Sequence, residues 1–376
     1  VSDADSIPLL DLAAQNHPLL PAFREAFERV ATRGQFILGP EVESFERAIA
    51  DQLGVKHAIG VSSGTDALLV ALMALGVGRG DEVVTTPFSF FATAGCIARV
   101  GATPVFVDVD PATFNIDVSR VAGAITSRTR AIMPVHLFGQ PCAMKELQEI
   151  ACENGLPIIE DAAQAIGART AIGPVGGLGS LAAFSFFPSK NLGAFGDAGL
   201  VTTNDAGLAA RVRLLRSHGA EPKYYNLEVG GNFRLDALQA AILAVKLPHL
   251  EGWARARAAN AHAYTEAFRA TGLPPSLLML PTAVEPGHVW NQYTIRTPRR
   301  DALRAHLASR GIGSEIYYPV PLHRQQCFAG LGYSEGHFPE AERCAREAIS
   351  LPIFPELGDA RRARVVQEVV GALNAL

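Results

Sequence analysis

From residue 57 onward, short apolar runs alternate with alanine-rich or amphipathic stretches, and this alternation limits the possible folds more than anything else in the chain. HAIGV (57–61), EVVTT (82–86), PVFVDV (104–109), RAIMPVH (130–136), PIIED (157–161) and AAFSFF (182–187) each have the length and composition of a strand. Helical stretches, such as 65–75 and 143–154, separate most of them. Near-continuous apolar strands joined by helices imply an α/β fold with a mostly parallel sheet covered on both faces. In such sheets ligands bind beyond the carboxyl ends of the strands. Ser62, Ser63, Gly64, Thr65, Asp161 and Lys190 all fall just past predicted strand ends, so they can converge on one site.

The flanks are of a different kind. Leu20, Phe23, Phe27 and Val30 recur at helical spacing, and after the Gly39-Pro40 turn Val42, Phe45 and Ile49 mark a second helix. Beyond the sheet pattern, helices are expected over 206–217 and through Leu235, Leu238, Ile242 and Val245, with Pro248 as a break. A helix near 253–270, a strand at 290–296, a helix at 301–309, a strand at 314–320 and a final helix near 359–373 then describe a smaller α+β unit. We therefore expect a large domain over 1–247 and a small C-terminal domain over 248–376. The 376 residues, 48% of them hydrophobic, suffice to bury both cores.

Several function classes fall away on charge and cysteine content. A net charge of −4 leaves no basic footprint for nucleic acid. Cys96, Cys142, Cys152, Cys327 and Cys344 form no C-x-x-C pair and keep no zinc-like spacing with histidine, so they read as reduced thiols and no metal is expected. The opening VSDADSIPLLDLAAQ lacks a basic segment followed by an apolar run, and no stretch approaches about 18 uncharged apolar residues. A soluble cytoplasmic protein with no membrane partner is expected.

Lys190 is the residue hardest to explain as mere structure. It sits in FSFFPSKNLGAFGDAG (184–199), just past a Phe-rich strand that Pro188 stops, with little other charge nearby. Gly193, Gly196 and Gly199 allow sharp turns or close approach to a ligand. Desolvation there lowers a lysine's pKa, and the neutral amine can attack a carbonyl to form a Schiff base. A solvated loop lysine remains the alternative from local sequence alone.

Four more segments carry candidate chemistry. VSSGTDALL (61–69) is a small-residue turn feeding a helix, either a phosphate seat or an ordinary N-cap. About half a unit of helix-end charge does not balance a phosphate, so Thr65 and Ser185 are expected to add donors. PIIEDAAQAIGA (157–168) ends a buried strand on Glu160 and Asp161. Asp161 suits an ionic hydrogen bond to a protonated ring nitrogen or a cap on the next helix, while Glu160 points the other way and is structural. In PFSFFATAG (87–95), Phe90 and Phe91 are read as core, and in RAIMPVH the strand-end His136 has a hydrogen-bonded structural role as its plain reading.

Together these segments resemble the DegT/DnrJ/EryC1/StrS family of sugar aminotransferases, fold-type I enzymes that use pyridoxal 5'-phosphate (PLP). The resemblance runs from about Ile7 to the end and is most specific between Gly60 and Asp236. It implies that Lys190 carries the cofactor and that Asp161 binds its pyridine nitrogen, these two being the catalytic residues. It implies further that Ser63, Gly64, Thr65 and Ser185 hold the phosphate, Gln164 lies near the 3'-oxygen, and Phe88 stacks on the ring. From GGNFRLD (230–236), Asn232 would reach the phosphate of a neighbouring subunit in a homodimer and Arg234 would meet substrate; Tyr317, Tyr318 and His323 would line the sugar pocket. The implied reaction moves an amino group from L-glutamate, through pyridoxamine 5'-phosphate, to a nucleotide-linked keto sugar, with a lean toward a 3-keto hexose. A cyclitol-type ketone or a non-catalytic regulatory relative are the alternatives. A cysteine desulfurase fits less well, because Cys327 has no evident activation. Two features depart from the family: the glycine-heavy GPVGGLGS (173–180) matches no motif, and the usual G-D/E-G-G appears as Gly196-Asp197-Ala198-Gly199.

Overall fold

The computed structural model describes residues 6–375; the first five residues of the opening VSDADSIPLLDLAAQ lie outside them. Among the described residues, seven strands build the central sheet: β1 (His57–Val61), β2 (Glu82–Thr85), β3 (Thr103–Phe106), β4 (Thr129–Met133), β5 (Ile159–Asp161), β6 (Leu181–Ser185) and β7 (Gly199–Thr203). They lie in the order β1-β7-β6-β5-β4-β2-β3, with parallel bridges Ile132 to Ile158 and Val135 to Asp161 joining β4 to the β5 side. The sheet is mostly parallel, as its alternation predicts. β7 alone runs against the rest, antiparallel to both β1 and β6. It was not foreseen, because GLVTT follows directly on a glycine-rich run. It is nonetheless buried at every position.

Helices cover both faces: α1 (Leu20–Arg33), α2 (Pro40–Leu53), α3 (Gly64–Ala74), α4 (Ala92–Arg99), α5 (Met144–Glu153), α6 (Ala206–Arg216) and α7 (Ala237–Lys246). α2 starts on Pro40 and ends at Gly54 with φ of 67°, the proline-first, glycine-after pattern that suits helix ends. α3 is buried nearly all round, which is why it reads as alanine and leucine without a polar stripe. On α1, Phe23, Ala26 and Val30 enter the core, whereas Leu20 and Phe27 stay exposed at the edge of the expected apolar face.

Pro248 does not end the helical path. It occupies a single 3-10 turn, Leu247–His249, that leads straight into α8 (Leu250–Arg269), and proline is tolerated there because the first turn needs no donor from it. A further apolar core gathers Ile7 with residues between Ala261 and Leu373. Its elements include β8 (Tyr293–Arg296), α9 (Arg300–Ser309), β9 (Ala348–Leu351) and α11 (Asp359–Ala375), whereas α10 (Pro339–Glu347) packs Ala341, Cys344 and Ala345 into a cluster with Phe88, Phe106 and Phe138. The strand expected at 314–320 does not form, since Pro319 and Pro321 cannot donate to a ladder and only Glu315 bridges, to Ser350. β8 pairs instead with β9, a fully buried segment hidden in sequence behind the charged α10. Among the described residues no helix is long and apolar enough to cross a membrane, and no cluster of three metal-ligating side chains occurs.

Candidate active site

At the carboxyl edge of the parallel strands lies a cavity of about 480 Å³. Ser63, Gly64, Thr65, Asp161, Gln164, Ser185, Lys190, Tyr317 and Tyr318 all line it.

One end is the N-terminus of α3. Ser63 is its N-cap: the hydroxyl accepts from Asp66 N at 3.0 Å, and Ser62 and Ser63 donate to the Asp66 carboxylate at 2.6 and 3.1 Å. The cap satisfies Asp66 N only. The Gly64 and Thr65 N–H groups, in the first turn, have no intrahelical acceptor and remain for an anion. Cap and phosphate seat are thus the same structure. A Cβ on Gly64 would fall 2.6 Å from Ser185 Cβ, and one on Gly199 2.3 Å from the Ser63 carbonyl oxygen. The ends of β6, β7 and α3 therefore meet backbone to backbone, and the last glycine of Gly196-Asp197-Ala198-Gly199 is the one that contact requires.

Across the cavity Asp161 ends β5. Its Oδ2 accepts from the Thr93 hydroxyl at 2.8 Å and its Oδ1 from Ala163 N at 3.2 Å. Burial raises its pKa above the ordinary value, against the opposing effects of Thr93, Ala163, Lys190 and His136. Such a carboxylate gains from a cation placed before it. The next residue back, Glu160, faces away: it accepts from Gly176 N, Leu178 N and Gly179 N at 3.0, 2.9 and 2.7 Å. The glycine-heavy 173–180 loop that matched no motif is thus a wrapping for this buried charge. His136 completes it, with Nε2 3.1 Å from Glu160. Because Cys142 N donates to Nδ1 at 3.0 Å, the ring proton sits on Nε2 and is given to Glu160.

Lys190 follows β6 in a tight loop, its own N–H donating to Phe187 O at 2.8 Å. Burial pushes its pKa down to about 8, partly opposed by Asp161. At pH 7 roughly a tenth of such an amine is neutral, against about one part in three thousand for an ordinary lysine. Attachment of an aldehyde to the apoprotein is therefore expected to speed up about tenfold per pH unit below pH ~8 and to level off above it. Stopped-flow absorbance after mixing with PLP measures this, and a flat profile from pH 6 to 9 contradicts it.

The remaining expected residues divide between the cavity wall and other places. Gln164 is held between Phe138 N, which donates to Oε1 at 2.6 Å, and the Tyr318 hydroxyl, which accepts from Nε2 at 3.1 Å. Phe88 is fully buried and stacks on Phe114 at 6.2 Å, outside the lining. Phe90 lines the cavity instead and is 57% exposed; with Phe91 at 46%, neither is the core residue expected of it. His323 is buried against Glu342 at 3.0 Å and stays out of the cavity. Asn232 and Arg234 also lie outside it. Sequence reasoning missed Thr93, Phe187 and Gln292. Phe187 was legible as the odd member of the FSFF alternation; Thr93 and Gln292 carry no local signal.

An anion seat with hydroxyl donors, a buried carboxylate and an amine of lowered pKa, all lining one cavity, suit PLP, which brings a phosphate, a protonatable ring nitrogen and an aldehyde. Fold and donor set together define a PLP-dependent aminotransferase of fold type I. The DegT/DnrJ/EryC1/StrS aminotransferase family model matches residues 20–370, and the chain belongs to that family. A pleiotropic regulatory protein of Geobacillus stearothermophilus is 51% identical, over 97% of this chain and 98% of its own. The dTDP-3-amino-3,4,6-trideoxy-alpha-D-glucose transaminase of Streptomyces venezuelae is 44% identical, over 98% and 96% respectively. S. venezuelae DesV, solved in complex with a ketimine intermediate, superposes with a TM-score of 0.95 at 44% identity and 99% coverage of both chains.

Proposed function

We propose that this aminotransferase takes the amino group of L-glutamate and delivers it to the C3 ketone of a nucleotide-linked hexose, in the cytoplasm, as a homodimer with shared active sites. The observation that carries the reading is the convergence of Lys190, Asp161 and the α3 N-terminus on one cavity. The substrate class rests on the 44% identical S. venezuelae transaminase, which is named for a 3-amino sugar carried on dTDP. The homodimer is supported by Asn232, which is exposed and away from its own subunit's cavity, and by Phe90 and Phe187, which line the cavity yet stay exposed. A core drawn mostly from residues 26–247 and another drawn mostly from 261–373 support two units, 1–247 and 248–376; Ile7 joins the second core, Leu250 and Val289 the first, and a further cluster packs Phe88 and Phe106 against Phe328 and Phe338 across the boundary.

Bound PLP supplies an electron sink for charge developing at the substrate carbon. Lys190 Nζ holds the cofactor, takes the proton from Cα of the donor and returns it on the acceptor side. Asp161 keeps the ring nitrogen protonated. Ser63, Gly64, Thr65 and Ser185 hold the phosphate, and Phe90 takes the ring-facing place assigned to Phe88. Tyr318, fixed by Gln164, and Tyr317 wall the sugar side. L-Glutamate is expected to bleach the near-visible absorbance of the PLP-loaded protein, and a nucleotide-linked 3-keto hexose to restore it. Bleaching without restoration by any 3-keto sugar, but with restoration by a 4-keto one, would overturn the C3 assignment.

A further inference from the structure

Lys246, at the end of α7, is 1% exposed and has no carboxylate partner among the described residues. A buried ammonium without a counter-charge is costly, and an apolar residue would serve a merely structural position better. Its head group touches the lysine-bearing loop at two points. Nζ donates to Gly193 O at 2.7 Å and lies 5.2 Å from the centre of the Phe195 ring. Burial lowers its pKa to about 8. Seven residues earlier on α7, and so on the same face two turns back, Gln239 accepts from Phe195 N at 2.8 Å and donates to Phe195 O at 3.4 Å.

That loop is closed at its base. Ala194 N donates to Phe186 O at 2.8 Å, and a Cβ on Gly193 would fall 2.2 Å from Pro188 O. Lys190 sits at the tip of what these contacts enclose. Moving Gly193 moves Pro188, and with it the backbone that aims Lys190. We infer that Lys246, with Gln239, is a positioning residue that sets the reach of Lys190 by pinning Gly193 and Phe195 from the far side of the loop. The inference rests on Lys190 being the reacting lysine.

Lys246→Met keeps the side-chain stem and removes the donor. Its melting temperature is expected to equal or exceed that of the parent, because a buried charge is replaced by an apolar group. The rate of the glutamate half-reaction of the PLP-loaded variant is nevertheless expected to fall about tenfold or more, with unchanged half-saturation by glutamate, since small misplacement of a reacting group is costly. Hydrogen exchange of the 186–199 segment should accelerate while the rest of the protein is unaltered. Gln239→Leu should show the same pattern to a lesser degree, and decides alone if Lys246→Met does not fold. Parental rates and exchange in both variants overturn the inference, as does a rate loss that comes with a lowered melting temperature and no local change in exchange. Failure here is distinct from failure of the Lys190 reading, which shows as turnover by Lys190→Ala.

Discussion

Lys190→Ala is expected to stop multiple turnover altogether and to remove the absorbance of the covalently held cofactor. The side chain has two tasks that no neighbour can assume. It binds the aldehyde, for which burial lowers its pKa to about 8, and it moves the proton at the reacting carbon. Asp161 lies nearby but is a carboxylate already engaged by Thr93 and Ala163. Lys246, the other lysine with a pKa lowered to about 8, is held on Gly193. Because the phosphate seat is untouched, the variant should still retain PLP, noncovalently, which equilibrium dialysis checks. Turnover without an added amine would remove Lys190 from the mechanism. Mixing this variant with Asn232→Ala should restore part of the activity if each site borrows Asn232 from its neighbour, and no restoration speaks against shared sites.

Asp161→Asn should have the second largest effect. Asparagine keeps the volume and can keep the Thr93 and Ala163 bonds, but it cannot offer a charge to a protonated ring nitrogen. An ionic hydrogen bond of this kind contributes about 1.5 to 3 kcal/mol, or roughly 10- to 150-fold in kcat if it is lost from the transition state. The same change removes the Coulombic pull that holds up the Lys190 pKa. The pH profile of PLP attachment should therefore shift to lower pH as kcat falls. Two opposite movements from one substitution are hard to obtain by simple unfolding. A kcat within about twofold of the parent would mean that Asp161 does not face the cofactor ring.

Strand-length apolar runs at regular intervals determined the layered α/β architecture, because burial on both faces leaves an unbroken apolar signature that water-exposed segments do not share. From the same runs followed the positions just past strand ends: Ser63, Gly64, Thr65, Asp161 and Lys190 line one cavity, while Ser62, expected with them, is not among its lining residues. Opposite directions for Glu160 and Asp161 were legible too, since neighbours on a strand alternate. What the chain alone left open were relations between segments. The antiparallel β7 and the β8–β9 pairing depend on which strand finds a free edge, and GLVTT and AISL look no different from loop or helix end until their partners are known. The strand expected at 314–320 yielded to Pro319 and the following Pro321 and became a cavity wall carrying Tyr317 and Tyr318. Between Phe88 and Phe90 the choice lay in the path of one short turn. Thr93, 68 residues from the Asp161 it supports, could be placed only in three dimensions. Periodicity records how deeply each residue is buried along its own segment; which distant residue it meets is settled by packing.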